Sequence, residues 1–160
     1  MLIRTATLED SDAIWAVLEP MIRGGETNAL PRDLSREQAL SYWFASGNEV
    51  FVAEQGGAIV GTYYLRANQA GGGAHVANCA YVVAPPATGR GIAQAMCQHS
   101  LDHARSRGFR AMQFNFVVST NERAVRLWRR AGLQIIGTIP HGFEHPTAGM
   151  VDVFVMHRFL

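Results

Sequence analysis

The chain has 160 residues, of which 48% are hydrophobic and 17% are charged, and its formal net charge is +1. This is the composition of an ordinary globular protein, and it excludes an intrinsically disordered chain. A net charge so close to zero gives no reason to expect nucleic acid or an anionic membrane as a partner. We see no long apolar run and no leader peptide, so we expect one cytoplasmic domain over residues 1–160.

Strand and helix patterns alternate along the chain. In chain order, the pattern predicts a strand at 2–6, a helix ending at 24–25, a helix capped by residue 35, a hairpin of strands 50–54 and 59–65, a central strand at 75–83, a long helix at 92–107, a strand at 111–118, a helix opening at 121, and strands at 133–138 and 150–156 joined by a loop at 140–149. Cys79 and Cys97 fall inside a predicted strand and helix, and we expect both to be buried thiols.

The other elements are organised around residues 81–93. Three strand-forming residues precede Pro85 and Pro86, which end the strand, and Gly89 and Gly91 then open a helix at Ile92. Such a turn presents free backbone N–H groups at the positive end of a helix, which favours a phosphate or pyrophosphate. A Walker A loop is excluded because the chain has no lysine, and the dinucleotide fingerprint does not fit the glycine spacing.

Two motifs resemble those of the GCN5-related N-acetyltransferase (GNAT) family. The first is Thr88-Gly89-Arg90-Gly91-Ile92-Ala93, which is similar to the family's acyl-CoA loop. The second is Asn121-x-x-Ala124-x-x-Leu127-Trp128-x-x-x-Gly132-Leu133. The chain departs from the family at Thr88, where glutamine or arginine is usual, and at Trp128, where tyrosine is usual.

The resemblance implies an α/β fold with a mixed, twisted sheet of about seven strands and about four helices, splayed between strands 75–83 and 112–118. It also implies acetyl-CoA as co-substrate, no metal, and direct transfer of the acetyl group to an amine. The backbone N–H of Val83 is implied as oxyanion donor. The implied cofactor-binding residues are Tyr81, Val82, Val83, Thr88, Gly89, Arg90, Gly91, Ile92, Ala93, Asn121, Leu127 and Trp128.

The candidate acceptor residues are Asn78, Asn115, Glu26 and Thr27. Both asparagines interrupt apolar strands, so they either replace missing ladder bonds or hold the acceptor or a catalytic water. Their surroundings resemble the branch of the family that acetylates azetidine-2-carboxylate and related proline analogues, which implies a small amino acid as acceptor. Glu26 and Thr27 lie in a polar loop where the family often contacts its acceptor, and a solvated loop is the alternative.

Several assignments stay open from the sequence. Arg90 is a candidate to supply the CoA contact that Thr88 lacks. Trp128 is either a packing residue or part of a site without the usual acid, because an indole N–H cannot protonate the departing CoA thiolate. The remaining polar candidates for a base, with a structural role as the alternative, are His75, His141, Glu144 and His145. His99 and His103 have a helical metal spacing but no evident third ligand.

We therefore predict an acetyl-CoA-dependent N-acetyltransferase for a small-molecule amine, an amino acid or a toxic amino-acid analogue. The alternatives are acetylation of a protein N-terminus or lysine, and a CoA-binding module without turnover. The resemblance also implies a homodimer, because many members of the family pair through their late strands.

Overall fold

The computed structural model describes residues 1–160, and its secondary structure is an alternation of seven strands and four helices. In chain order the elements are β1 (Leu2–Thr5), α1 (Ser11–Gly24), α2 (Arg36–Trp43), β2 (Glu49–Gln55), β3 (Ala58–Ala67), β4 (Val76–Val83), α3 (Ile92–Ser106), β5 (Ala111–Val118), α4 (Glu122–Arg130), β6 (Gln134–His145) and β7 (Gly149–Phe159). The predicted α/β class and the predicted numbers of strands and helices are confirmed.

All seven strands belong to one sheet with the order β1-β2-β3-β4-β5-β7-β6. Every neighbouring pair is antiparallel except β4 and β5, which are parallel. These two strands pair only at Val76 with Ala111 and at Ala77 with Met112. Beyond that point they separate, so the predicted splay in the middle of the sheet is confirmed.

The helices cover opposite faces of this sheet because strand residues alternate between the faces. On one face α1 and α2 bury an apolar cluster that includes Ile14, Trp43 and Val82. On the other face α3 and α4 bury a larger cluster that includes Met96, Cys97 and Trp128. Each side of the splayed strands therefore faces a different environment.

Local sequence signals define most of the helix ends. The Ser35 hydroxyl accepts a hydrogen bond from the Gln38 N–H, and the Gln38 side chain accepts one from the Ser35 N–H, which completes a capping box. The Asn121 side chain likewise accepts from the Ala124 N–H at the start of α4. At the other end of α4, Gly132 has a φ of +85°, a conformation that glycine adopts without steric cost.

The predicted loop at residues 140–149 is wrong. Strand β6 continues to His145 and β7 begins at Gly149, so only a tight turn separates them. The interruption is a bulge between Ile139 and Phe143, where the Asp152 carboxylate accepts a hydrogen bond from the backbone N–H of His141. Pro140 indicated a loop because it cannot donate a ladder bond, but β6 is an edge strand, where a missing donor is tolerated.

The two cysteines are buried and unpaired, as expected. Burial raises the pKa of the Cys79 thiol to about 12 and that of the Cys97 thiol to about 11. A thiol with so high a pKa is a poor nucleophile at neutral pH, so both residues contribute packing. None of the helices combines the length and the apolar character needed to cross a bilayer.

Candidate acyl-CoA and acceptor site

The open edge of β4 is defined by the direction of its backbone groups. Asn68 donates to the carbonyl of Val76, and Ala84 donates to the carbonyl of Val60, so even-numbered residues of β4 bond to β3. In an antiparallel ladder the alternate residues point the other way. The N–H and C=O groups of Tyr81 and Val83 are therefore directed into the splay, where β5 has moved out of pairing distance.

This alternation separates the three predicted cofactor contacts on β4. Tyr81 and Val83 present backbone groups to the splay, and Val83 does so at the end nearest the glycine loop. Val82 lies directly opposite Thr62 of β3, so its backbone bonds within the sheet and its side chain packs beneath α1 and α2. The geometry is that of a strand edge able to accept one more extended chain.

The glycine loop follows a short 3-10 turn at Pro85–Ala87. Gly89 and Gly91 have φ values of +84° and +79°, and Gly91 is the N-cap of α3. These left-handed conformations turn the chain so that the first amides of the 15-residue helix α3 face outward without intrahelical partners. Gly89, Arg90 and Gly91 are exposed, so their backbone is accessible to an anion.

A cation from another helix lies beside this loop. A Cβ placed on Gly89 would lie 3.5 Å from Nη2 of Arg123, in the first turn of α4. Arg123 makes no ion pair with the protein, and Arg90 makes none either. The hydroxyl of Thr88 only reaches back to the carbonyl of Ala84, at 3.5 Å. Sequence reasoning missed Arg123, since no local signal connects it to a loop more than 30 residues away.

Trp128 closes the splay from the α4 side. Its ring lies 5.0 Å from the ring of Tyr81 on β4 and 5.0 Å from the ring of Phe114 on β5. Trp128 is 8% exposed and belongs to the larger apolar cluster together with the half-buried Leu127. These contacts favour the packing interpretation of Trp128.

The phenol of Tyr81 is no ready replacement for the tyrosine that the family usually has at the position of Trp128. It is 2.7 Å from Oγ of Ser100 on α3, and burial raises its pKa well above the ordinary value of 10.0. The Tyr81 phenol is therefore held neutral on the side of the sheet opposite the asparagine residues.

Asn78 and Asn115 lie on the same face of the sheet, beneath α1 and α2. A series of hydrogen bonds between amide groups, here called the amide chain, connects them. Nδ2 of Asn78 donates to the Gln113 carbonyl at 2.9 Å, across the splay. Nε2 of Gln113 donates to Oδ1 of Asn115 at 2.9 Å, and Nδ2 of Asn115 donates to Oδ1 of Asn68 at 2.6 Å. Asn78 thus replaces a ladder bond, which is one of the two roles considered from the sequence.

The two asparagines differ in exposure. Asn78 is 6% exposed, whereas Asn115 is exposed, at a bulge where β5 shifts register against β7. The bulge lifts Asn115 out of the sheet. Because Asn115 is exposed and lies on the same face as Asn78, a small polar molecule can reach this amide chain.

A cleft of about 320 Å³ brings several predicted residues together at the surface. It is lined by Glu26 and Thr27 from the loop after α1, by Asn121 and Arg123 from α4, and by His145 from β6. Nδ1 of His145 accepts hydrogen bonds from the N–H groups of Thr147 and Ala148. Its proton is therefore on Nε2, and this ring nitrogen is a donor toward the cleft.

The other predicted polar candidates lie elsewhere. His75 is exposed just before β4, and His141 and Glu144 are exposed on β6. His99 and His103 are half-buried on the side of α3 that packs against Phe51 of β2, and Nδ1 of His99 is 2.6 Å from the hydroxyl of buried Tyr63. His103 is 2.8 Å from the Glu49 carboxylate.

A larger open depression, of about 890 Å³, lies between α1 and the β2–β3 hairpin. Its charged residues already satisfy one another, since Arg4 binds both oxygens of Asp10 at 2.8 Å and Glu54 at 3.2 Å. It has no unpaired strand edge and no glycine-opened helix. We therefore place the candidate site at the splay.

Taken together, the splayed parallel strand pair with a free edge and the glycine-opened helix have the geometry of a site for an extended, phosphate-bearing ligand. Residues 15–133 match the Acetyltransferase (GNAT) family, and the chain belongs to this family. The expected acyltransferase class is thereby confirmed at the level of the family.

Individual relatives agree with this assignment. A GCN5-related N-acetyltransferase from Kribbella flavida superposes with a TM-score of 0.94 at 42% identity, over 99% of this chain and 97% of that one. A phosphinothricin acetyltransferase from Sinorhizobium meliloti, in complex with AcCoA, shares the fold with a TM-score of 0.87 at 22% identity, over 99% and 88% of the two chains.

The N-acetyltransferase aca1 of Schizosaccharomyces pombe is 30% identical over 98 residues, which is 61% of this chain and 47% of that protein. The chain therefore spans about half the length of this curated relative.

Proposed function

We propose that residues 1–160 form one N-acetyltransferase domain that moves the acetyl group of acetyl-CoA to the amine of a small molecule, an amino acid or an amino-acid analogue. The observation that carries this proposal is the free edge of β4, which ends at a glycine-opened helix in a member of the GNAT family. The residues present fit the cofactor: the backbone of Tyr81 and Val83 suits an extended arm, and the amides of residues 89–93 suit a pyrophosphate.

In this arrangement the chain contributes orientation and charge stabilisation. An arm paired along β4 from the glycine loop brings its thioester to the open edge formed by the backbone of Tyr81 and Val83. The neutral amine attacks the thioester carbon, and the N–H of Val83 is in position along the open edge to donate to an oxyanion. The C–S bond then breaks, the attacking nitrogen loses a proton, and CoA leaves as a thiolate that takes up a proton, since an ordinary thiol has a pKa of about 8.5.

The acceptor side of the site is the face beneath α1 and α2. There the amide chain through Asn78 and Asn115 offers both donors and acceptors. We propose that Asn115, which is exposed, contacts the acceptor directly, and that Asn78 holds the splay open at a fixed width. Glu26 and Thr27 contact the acceptor from the surface cleft.

The test is thiol release from acetyl-CoA against a panel of amino acids and proline analogues. We expect turnover by the wild type, a loss of about 10-fold or more in kcat/KM for Asn115→Ala, and unchanged CoA affinity. Asn78→Ala should lose activity and also some stability, because it removes a cross-splay bond. Tight CoA binding with no turnover on any amine would contradict the proposal and favour a CoA-binding module.

A homodimer and a reducing compartment are part of the same proposal. The outer strand β6 exposes Ile136 and Ile139, at 58% and 44%, which provides an apolar edge for a second copy. The buried free thiols are compatible with a cytoplasmic location. Light scattering at micromolar concentration tests the dimer, and a monomer mass at every concentration would exclude it.

A further inference from the structure

Arg66 is a partly buried cation for which the protein supplies no anion. It lies near the end of β3 and takes part in none of the ion pairs of the chain. Its guanidinium rests on the ring of Tyr64, 5.3 Å from the centroid. Asn48 Oδ1 is the one buried side-chain polar atom without a hydrogen-bond partner, so the Arg66 nitrogens reach solvent and their charge rests on the Tyr64 ring alone.

The register of the sheet places Arg66 beside the proposed acceptor site. Arg66 is directly opposite Asn78 on β4, and residues paired in this way point to the same face. Two positions along β3, Asn68 accepts the hydrogen bond from Asn115. In the other direction, the hydroxyl of Tyr64 is 3.3 Å from that of Tyr42 on α2. The arginine therefore lies in a row of neutral polar groups next to the splay.

The acidic residues of the nearby strands are engaged elsewhere. Glu49 binds His103 and Arg107 on the other face of the sheet, and Glu54 binds Arg4. Arg66 is thus left available to a ligand. A guanidinium presents a planar fork of donors that matches a carboxylate in a bidentate way.

We propose that Arg66 binds the carboxylate of the acceptor, so that the substrate is a small molecule carrying an amine and a carboxylate a few bonds apart. This inference rests on the function proposed above and specifies its substrate class. Arg66 lies on the strand next to β4 and on the face of Asn78, so the carboxylate that it binds belongs to a molecule whose amine also reaches the open edge of β4. The α-carboxylate of a residue inside a protein or at its N-terminus is consumed in the peptide bond, so apart from an N-terminal Asp or Glu a protein acceptor does not satisfy Arg66.

The experiment compares acceptors that differ only in this charge. Azetidine-2-carboxylate and alanine are each paired with their carboxamides, and kcat/KM is measured for the wild type, Arg66→Gln, Arg66→Lys and Arg130→Gln. Arg130 is exposed on α4, so Arg130→Gln is the matched control that removes one arginine elsewhere. We expect Arg66→Gln to lower kcat/KM for the carboxylates by about 10- to 100-fold and for the carboxamides by about 2-fold or less.

Arg66→Lys keeps the charge but not the fork, so we expect an intermediate loss, and Arg130→Gln should match the wild type. Urea unfolding and CoA affinity establish that each variant is folded. If the wild type acetylates amines but Arg66→Gln affects carboxylates and carboxamides equally, this inference alone is overturned. If the wild type acetylates no small amine, the proposed function itself is wrong.

Discussion

Replacing Arg123 with alanine tests where the charge for the CoA phosphates comes from. The Arg123 guanidinium lies next to Gly89, as the 3.5 Å approach of Nη2 to a Cβ at that position shows. A phosphate on the loop amides would therefore lie within about 4 Å of it, where one exposed charge pair contributes about 1 kcal/mol in water. For the two charges of a pyrophosphate we expect about 2 kcal/mol, or roughly a 30-fold weaker Kd at low salt.

The assay is calorimetric titration with CoA and with pantetheine, which lacks the phosphates. Arg123→Ala should weaken CoA binding and leave pantetheine binding unchanged, and the loss should shrink as salt is added. Arg90→Ala should have a smaller effect, since the Arg90 side chain is exposed on the loop itself. Arg130→Ala is the matched control. A larger loss for Arg90→Ala than for Arg123→Ala would refute this reasoning and restore Arg90 as the residue that compensates for Thr88.

Two further predictions concern stability and the role of Trp128. Hydrogen bonds from the Arg4 guanidinium lower the pKa of Asp10 from its ordinary value of 3.8 to about 2, although desolvation opposes this. The stabilisation is therefore complete above pH 4 and lost as the pH falls from about 4 to about 2. Allowing for solvent screening, Asp10→Asn should cost about 1–2 kcal/mol in urea unfolding at pH 7, and an equal cost at pH 2 would contradict this assignment. Trp128→Phe removes a packed ring between Tyr81 and Phe114, so it should lower stability by about 1–3 kcal/mol while kcat falls by less than about 3-fold. A large loss of kcat in a stable variant would instead give the indole a part in the chemistry.

Local patterns predicted most of the fold because they act over a few residues. The Ser35 and Asn121 caps, the hairpin at Gly56-Gly57 and the glycines of the loop each depend on backbone groups within one turn. The late hairpin was mispredicted, since a proline at residue 140 has the same local meaning in a loop and on an edge strand. Only the position of β6 in the sheet distinguishes the two cases.

The candidate site was predicted only in part, again because local patterns act over a few residues. The loop at residues 88–93 and the Asn121 motif are contiguous, so the sequence reveals them. The roles proposed for Arg66 and Arg123 each depend on a neighbour far along the chain, and no local signal indicates such a contact. Gln113, which connects Asn78 to Asn115, was missed as well, because its part depends on how far β4 and β5 diverge.

The sequence by itself determined the alternation of strands and helices, the glycine-opened helix and the resemblance to the family, since these follow from side-chain periodicity and short-range backbone chemistry. The tertiary structure alone decided which backbone edge of β4 is free, which arginine approaches the loop and which face holds the proposed acceptor residues. Those properties depend on strand register and on the angle between elements, and both are set by packing across the whole sheet.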